Sequence, residues 1–200
     1  MNSNTLAIID GGGANIASLK FALARLGRHD AQLTTDPDVI RTARHVILPG
    51  VGAARDAMDR LQAAGLVGLI GELNQPLLGI CLGMQLLFES SAEDQAECLG
   101  LLPGRAERFE SAPDRSVPHM GWNRVWRERE DALLDGVEDG AQFYFVHSYA
   151  LPTGDFTIGR CDYGRAFSAV VRRDNVMGTQ FHPERSGKHG ARLLANFLAL

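Results

Sequence analysis

The sequence predicts an α/β fold: an open, mixed, mostly parallel sheet with flanking helices, turning more antiparallel in its C-terminal half. Three observations lead there. Short apolar runs alternate with helix-spaced segments through the first half of the chain, the pattern of βαβ units and a parallel sheet. Past Gly100 the apolar runs follow one another with only turns between them. The 200 residues suit one domain, expected to span 1–200.

The elements follow in order. Thr5 to Ile9 is apolar and stops at Asp10-Gly11-Gly12-Gly13, a buried strand and its turn. Ile16, Leu19, Leu23 and Leu26 keep helical spacing until Gly27. Ala31 to Thr34 is a second strand, and Asp36-Pro37 can start a short helix. His45 to Leu48 is a third strand, broken by Pro49-Gly50-Val51-Gly52. A helix from Ala53 to Ala64 ends at Gly65. Leu77 to Ile80 is a fourth strand, and Leu82 to Glu89 is helical. The polar stretch Ser91 to Glu97 reads as a surface loop. Short strands are expected at Arg105–Phe109, Arg124–Trp126, Phe143–Val146, Thr157–Cys161, Ala169–Arg172 and Val176–Thr179, with a closing helix from Lys188 to Leu200.

Composition narrows the function. The net charge of −4 argues against a general nucleic-acid binder, which shows a basic patch or stripe. No apolar run reaches 18 residues, so no membrane span is expected. Met1 to Thr5 carries no basic residue before the first apolar run, so no secretory signal is expected either. Cys81, Cys98 and Cys161 are odd in number, widely spaced and without a C-x-x-C. That pattern suits neither a disulfide framework nor a zinc site. It fits a reducing, cytoplasmic setting and a protein without metal or other cofactor.

Chemistry concentrates at Gly79-Ile80-Cys81-Leu82-Gly83, between an apolar strand and an amphipathic helix. This is the G-x-nucleophile-x-G arrangement of a nucleophile elbow, with Cys for Ser. The tight strand-to-helix turn leaves no room for side chains two residues either side of the nucleophile. It puts Cys81 at a helix N-terminus, where the dipole and free N–H groups favour a thiolate. It also lets the N–H of Leu82 point at a developing oxyanion. Cysteine is equally a common buried structural residue, so the context decides. A cysteine nucleophile needs a base and an orienting group. Phe181-His182-Pro183-Glu184 follows the run Val176 to Thr179. Sites in open α/β sheets form outside the carboxyl ends of strands, so His182 would reach the edge that carries Cys81. Glu184, two residues on, can sit behind the imidazole and fix its tautomer. Taken singly, His182 would be a hydrogen-bonded core histidine and Glu184 a solvated acid. Pro49-Gly50-Val51-Gly52 also follows a strand, and its glycines let backbone N–H groups approach a ligand. The N–H of Val51 or Gly52 is the candidate second oxyanion donor; the plainer reading is a turn before a helix.

Together these segments resemble the class I glutamine amidotransferase family over nearly the whole chain, with its flavodoxin-like α/β domain. Leu78 to Gln85 is similar to the family's nucleophile motif, and Gln180-Phe181-His182-Pro183-Glu184 to its His-Glu motif. Leu48 to Ala53, Pro118-His119-Met120-Gly121-Trp122-Asn123 and Phe145-Val146-His147-Ser148-Tyr149 resemble the glutaminase subunits of imidazole glycerol phosphate synthase, Met-Gly-Trp-Asn being the most discriminating. The resemblance implies that glutamine is hydrolysed to glutamate and ammonia. Cys81 would attack the amide, His182 would protonate the leaving ammonia and later activate water, and Glu184 would hold His182. Gln85, Ser148 and Tyr149 would hold the amino-acid end of glutamine, with Gly50 and Gly52 beside them. The ammonia would pass to a (β/α)8-barrel cyclase subunit in a heterodimer, a step of histidine biosynthesis.

A partner is also expected on chemical grounds. Ammonia released into neutral water is mostly protonated and no longer nucleophilic, and a 200-residue glutaminase has no room for a second site. Met120 and Trp122 suit the partner face, where Met and aromatics are enriched, and Asn123 and Asn15 are grouped with them. Departures from the family pattern cluster near the site mouth and that face. They are Gly11 for tyrosine, Ala14 for glycine, Ala54 for an aromatic, Ala150 for a second tyrosine and Arg185 for lysine. Three other readings stay open: a stand-alone cysteine hydrolase or peptidase, a non-catalytic binding domain, and an ammonia donor to a different synthase.

Overall fold

The computed structural model describes residues 5–12 and 16–200. Gly13, Ala14 and Asn15 lie outside the described residues, and with them the expected interface role of Asn15.

The first half alternates strand and helix. In order come β1 (Leu6–Ile9), α1 (Ile16–Arg25), β2 (Ala31–Thr34), α2 (Pro37–Thr42), β3 (His45–Gly50), α3 (Ala54–Ala63), α4 (Leu66–Gly71), β4 (Leu77–Cys81) and α5 (Leu82–Leu86). Then follow β5 (Phe88–Ser91), β6 (Ala96–Glu97), β7 (Leu102–Arg108), β8 (His119–Arg127), β9 (Ala141–His147), β10 (Tyr149–Ala150), β11 (Thr157–Asp162), β12 (Ala166–Arg173), β13 (Val176–Thr179) and α6 (Gly187–Ala199). The large sheet has the order β2-β1-β3-β4-β13-β12-β11-β8-β9. Its ladders are parallel from β2 to β13 and antiparallel from β13 to β9. The mixed sheet with flanking helices is the expected class. Among the described residues, no helix is long and apolar enough to cross a membrane.

Strand β1 shows why helices cover both faces. All four of its residues are buried, Leu6 and Ile8 in one cluster and Ala7 and Ile9 in another. A strand apolar on both sides must be covered twice. Leu19 and Leu23 of α1 and Leu193, Leu194 and Phe197 of α6 cover the first face. Ile40 of α2, Leu61 of α3 and Leu69 of α4 cover the second. Asp36 caps α2 by accepting from Asp38 N–H at 2.9 Å, with Pro37 at the first helical position.

Three expectations need correction. The helix after Cys81 stops at Leu86 instead of continuing to Glu89. Phe88 leaves it to pack edge-on against Phe156 at 5.0 Å, and β5 then pairs with β6 and β7. Ser91 to Glu97 is accordingly not a surface loop. Ser91 and Ala96 are buried ladder partners in a second sheet of order β10-β7-β5-β6. Helix α4 has no expected counterpart: Gly65 stops α3 but, in the left-handed region at φ 68°, starts the next helix directly. Several strands are longer than their apolar runs suggested, β8 above all.

Candidate functional site

The central ladder assembles the site. β4 and β13 are parallel neighbours, with Ile80 opposite Thr179, so the residues just past both strands emerge side by side. β3 lies on the other side of β4, with Gly50 opposite Cys81. The elbow, the histidine segment and the glycine turn therefore share one sheet edge, as the strand order requires.

Cys81 sits at φ 55° and ψ −111°, a backbone conformation that side-chain-bearing residues rarely adopt, and strain of this kind costs on the order of 1–3 kcal/mol. The glycines make the turn sterically possible. A Cβ on Gly79 would come within 2.6 Å of Gly83 O, and one on Gly50 within 2.7 Å of Gly83 N. The Cys81 thiol is buried, 3.8 Å from the Val146 carbonyl and 3.8 Å from Gln180 Nε2.

His182 opens a short 3-10 turn, Pro183–Arg185, pinned to β9. Its N–H donates to Tyr144 O at 3.0 Å, and Ser186 Oγ donates to His182 O at 2.6 Å. His182 Nδ1 lies 2.9 Å from Glu184 Oε1. His182 Nε2 is buried with no hydrogen-bond partner among the described residues. Burial is the strongest single influence and works against the imidazolium. Cys81 and Glu184 together outweigh it and hold the ring up, to about 10. The ring thus has an acid behind it and a thiol in front.

These groups line a pocket of about 310 Å³, near the small end of ligand sites. Val51, Gly52, Cys81, Leu82, Gln85, Ser148, Tyr149 and His182 all line it. Gly52 has φ +90°, and a Cβ there would meet nothing within 4 Å, so the turn borders open space. Gly50 lies beside Cys81 in the ladder and Glu184 lies behind His182; neither lines the pocket. Met120 and Trp122 are on the outward face of β8, 63% and 53% exposed. Trp122 meets Tyr144 edge-on at 6.1 Å, and the Arg185 guanidinium also packs on Tyr144, 4.9 Å from the ring centre. The exposed patch therefore flanks the His182 turn. Asn123 is turned inward instead, donating to Asp162 O at 3.0 Å.

Two pocket-related residues escaped the sequence reading. Glu93 lines the pocket and accepts from Ala54 N–H at 3.0 Å, and burial pushes its carboxyl pKa upward. A single acid in a polar stretch carries no signal of a contact 39 residues away. Gln180 is fully buried, accepts from Gln85 Nε2 at 3.0 Å and reaches toward the Cys81 thiol. Its place beside the His182 segment could have flagged it. Gln85 spends its Nε2 hydrogens on Gln180 Oε1 and Tyr149 O, which leaves its own Oε1 for the pocket. Among the described residues, no cluster of three or more His, Cys, Asp or Glu could hold a metal ion.

The arrangement has the parts of acyl transfer through a thiol: nucleophile, oriented imidazole, helix-start amides and a small polar pocket. Comparison with known proteins agrees on family. Residues 7–200 match the family model described as glutamine amidotransferase class-I. The chain is 53% identical to the imidazole glycerol phosphate synthase subunit HisH of Xanthomonas axonopodis pv. citri, covering 98% of this chain and 97% of that one. It is 47% identical to the subunit named HisH 1 of Vibrio vulnificus over the full length of both. It is 51% identical to that named HisH 2 of Legionella pneumophila, over 98% of each. Among solved structures, a glutamine amidotransferase superposes with a TM-score of 0.75 at 22% identity, covering 98% and 97% of the two chains. The structure of PurLQS from Thermotoga maritima gives 0.72 at 20% identity, covering 98% of each chain. At those identities the two structures speak to the fold.

Proposed function

The chain belongs to the class-I glutamine amidotransferase family, and on that premise we propose that it is the glutaminase subunit of an imidazole glycerol phosphate synthase. It hydrolyses glutamine to glutamate and ammonia. It passes the ammonia to a (β/α)8-barrel cyclase subunit, which makes imidazole glycerol phosphate and an aminoimidazole carboxamide ribotide in histidine biosynthesis. Three unpaired cysteines suit a reducing compartment, and we assign it to the cytoplasm.

The observation that carries the reaction is His182: Nδ1 on Glu184, Nε2 buried and unpartnered among the described residues, Cys81 close enough to raise its pKa. In the proposed course, Cys81 as thiolate attacks the side-chain amide carbon of glutamine. The carbonyl oxygen becomes an oxyanion, met by the N–H of Leu82 and of Val51 or Gly52. Its collapse breaks the C–N bond, and the His182 imidazolium gives its proton to the departing ammonia. His182, now neutral, takes a proton from water, which attacks the thioester, releases glutamate and restores the thiolate. Glu184 holds the ring throughout. At the other end, Glu93 and Gln85 Oε1 offer acceptors for the substrate ammonium. Ser148 and Tyr149 lie where backbone donors could take its carboxylate.

The exposed Met120 and Trp122 beside the His182 turn support a partner on that side. The decisive experiment mixes the chain with the cyclase from the same source and follows glutamate release. Release stimulated by the cyclase and its ligand, and abolished by Cys81→Ala, is the expected result. Equal kcat with and without the liganded cyclase would sink the coupling.

A further inference from the structure

One buried polar cluster has no part in the chemistry above. His119 on β8 and His147 on β9 are register partners in the β8–β9 ladder, and both are buried. His119 Nδ1 lies 2.9 Å from His147 Nε2. His147 Nδ1 lies 2.8 Å from the Tyr149 carbonyl oxygen. Asn123 Nδ2 lies 3.2 Å from His119 Nε2.

An imidazole nitrogen either donates or accepts, so the ring-to-ring contact alone permits both polarities. The two ends remove that freedom. A carbonyl oxygen only accepts, so His147 carries its proton on Nδ1 and offers a lone pair at Nε2. His119 must then donate from Nδ1 and accept at Nε2. At the far end Asn123 requires the same without reference to the rings. Its Oδ1 accepts from Arg124 N–H at 2.8 Å and its Nδ2 donates to Asp162 O, so the NH2 group faces His119. Both ends enforce one direction: Asn123 to His119 to His147 to Tyr149 O. A proton added to His147 would set N–H against N–H between the rings, and one added to His119 would do so against Asn123. The surroundings keep both rings neutral. His119 stacks on Tyr163 at 4.0 Å and on Phe145 at 4.9 Å, and His147 meets Phe109 at 5.3 Å. Burial pushes His119 down to about 4 and His147 down to about 3.

The row of hydrogen bonds does not stop at Tyr149. The same carbonyl accepts from Gln85 Nε2 at 2.9 Å, and Gln85 leads through Gln180 to the Cys81 thiol. Its first member, Asn123, sits on the strand whose outer face presents Met120 and Trp122.

We propose that His119 and His147 are positioning residues for glutamine hydrolysis: their one-way hydrogen bonds tie strand β8 to the Tyr149 carbonyl and Gln85, and so hold the end of the pocket that receives the amino-acid group. The substrate in this statement rests on the proposed reaction. His147 also lines the pocket, so His119, which does not, is the cleaner probe.

Two variants separate the hydrogen-bonded row from mere packing. His119→Phe keeps an aromatic ring in its aromatic surroundings but cannot donate. His119→Asn is the poorer packer, yet its Nδ2 can replace the donor to His147. In the complex with the synthase partner, His119→Phe is expected to raise KM for glutamine about tenfold, the size of one buried hydrogen bond, with kcat within about threefold. His119→Asn is expected to recover most of that loss. An Asn variant no better than Phe, or a Phe variant with the parental KM, would overturn the proposal. A second measurement needs neither variant folding nor turnover. Long-range ¹⁵N–¹H spectra of the labelled wild-type chain should show both rings neutral with the proton on Nδ1, against the Nε2–H preference of free histidine. An Nε2–H tautomer in either ring would overturn the row. Both rings Nδ1–H in a chain that releases no glutamate even with the liganded cyclase would overturn the reaction and leave the row standing.

Discussion

Gly50→Ala tests whether the glycine turn and the elbow form one device. Gly50 is not in the left-handed region, so alanine brings no backbone strain there. Its effect is purely steric. The new Cβ would lie 2.7 Å from Gly83 N, 3.0 Å from Leu82 Cβ and 3.2 Å from Leu82 C, where ordinary contact begins at 3.4 Å. The shortfall against backbone is 3.4 − 2.7 = 0.7 Å, more than the roughly 0.5 Å tolerance of a working catalytic constellation. The strand end and helix start must separate, and those are the segments that carry Val51 and Leu82. Overpacking of this kind costs about 1–3 kcal/mol, offset by about 0.4–1 kcal/mol from the stiffer unfolded chain. A misplacement near 1 Å is worth about 100-fold in rate. Glutamate release by the partnered chain should therefore lose about 100-fold in kcat, while the urea midpoint shifts only modestly. Alkylation of Cys81 by iodoacetamide, which needs no oxyanion hole, should change little. A Gly50→Ala chain with kcat within threefold of the parent would refute the reasoning.

Two further expectations concern charge. Glu93→Gln keeps an acceptor for Ala54 N–H but removes the carboxylate from the pocket, so KM for glutamine should rise about tenfold with kcat nearly unchanged; initial-rate kinetics with an unchanged KM would remove Glu93 from substrate binding. His45, at the opposite end of β3 from Gly50, is 1% exposed, and neither ring nitrogen has a hydrogen-bond partner among the described residues. Burial first, then the Arg28 and Arg44 guanidinium groups, lower it from 6.5 to about 4. The unfolded chain therefore takes up this proton first. Stability is full above pH 6.5 and falls as the pH drops toward 4, by about 3 kcal/mol for this residue. His45→Phe, edge-on to Phe197, should flatten the urea-midpoint profile in that window; an identical slope in the two chains would exclude His45 as its source.

What could be read in the sequence was what short-range rules govern. The elbow is visible because crowding between Gly79, Gly83 and the neighbouring strand leaves a glycine spacing on paper. The apolar runs marked β1, β3 and β4 because buried parallel strands have no polar side to confuse them, while β2, at the sheet edge, is only partly covered. The second sheet was not visible. Leu86-Leu87-Phe88 is equally good helix or strand, and only the docking of Phe88 on Phe156, far along the chain, decides between them. Glu93 and the His119–His147 pair were hidden for the same reason. Glu93 reads as solvent-facing until the β5–β6 turn carries it under α3, and each histidine looks ordinary until the β8–β9 ladder brings the two into register.

Cys81 ends one central strand and His182 stands three residues past the end of its neighbour, which has a consequence for control. The parallel ladder that brings them together is buried in the middle of the sheet, and the His182 turn is pinned to β9 and by Ser186. Parting thiol from imidazole means disturbing either that ladder or the turn that Tyr144 and Ser186 hold. The remaining components hang on softer supports: the Val51–Gly52 turn past the end of β3, and the Ser148–Tyr149 corner held by Gln85 and the histidine row. A regulator of such an enzyme has leverage on where the substrate lies and where its oxygen is received. A compound meant to silence it would do better wedged under those supports than competing for the sulfur.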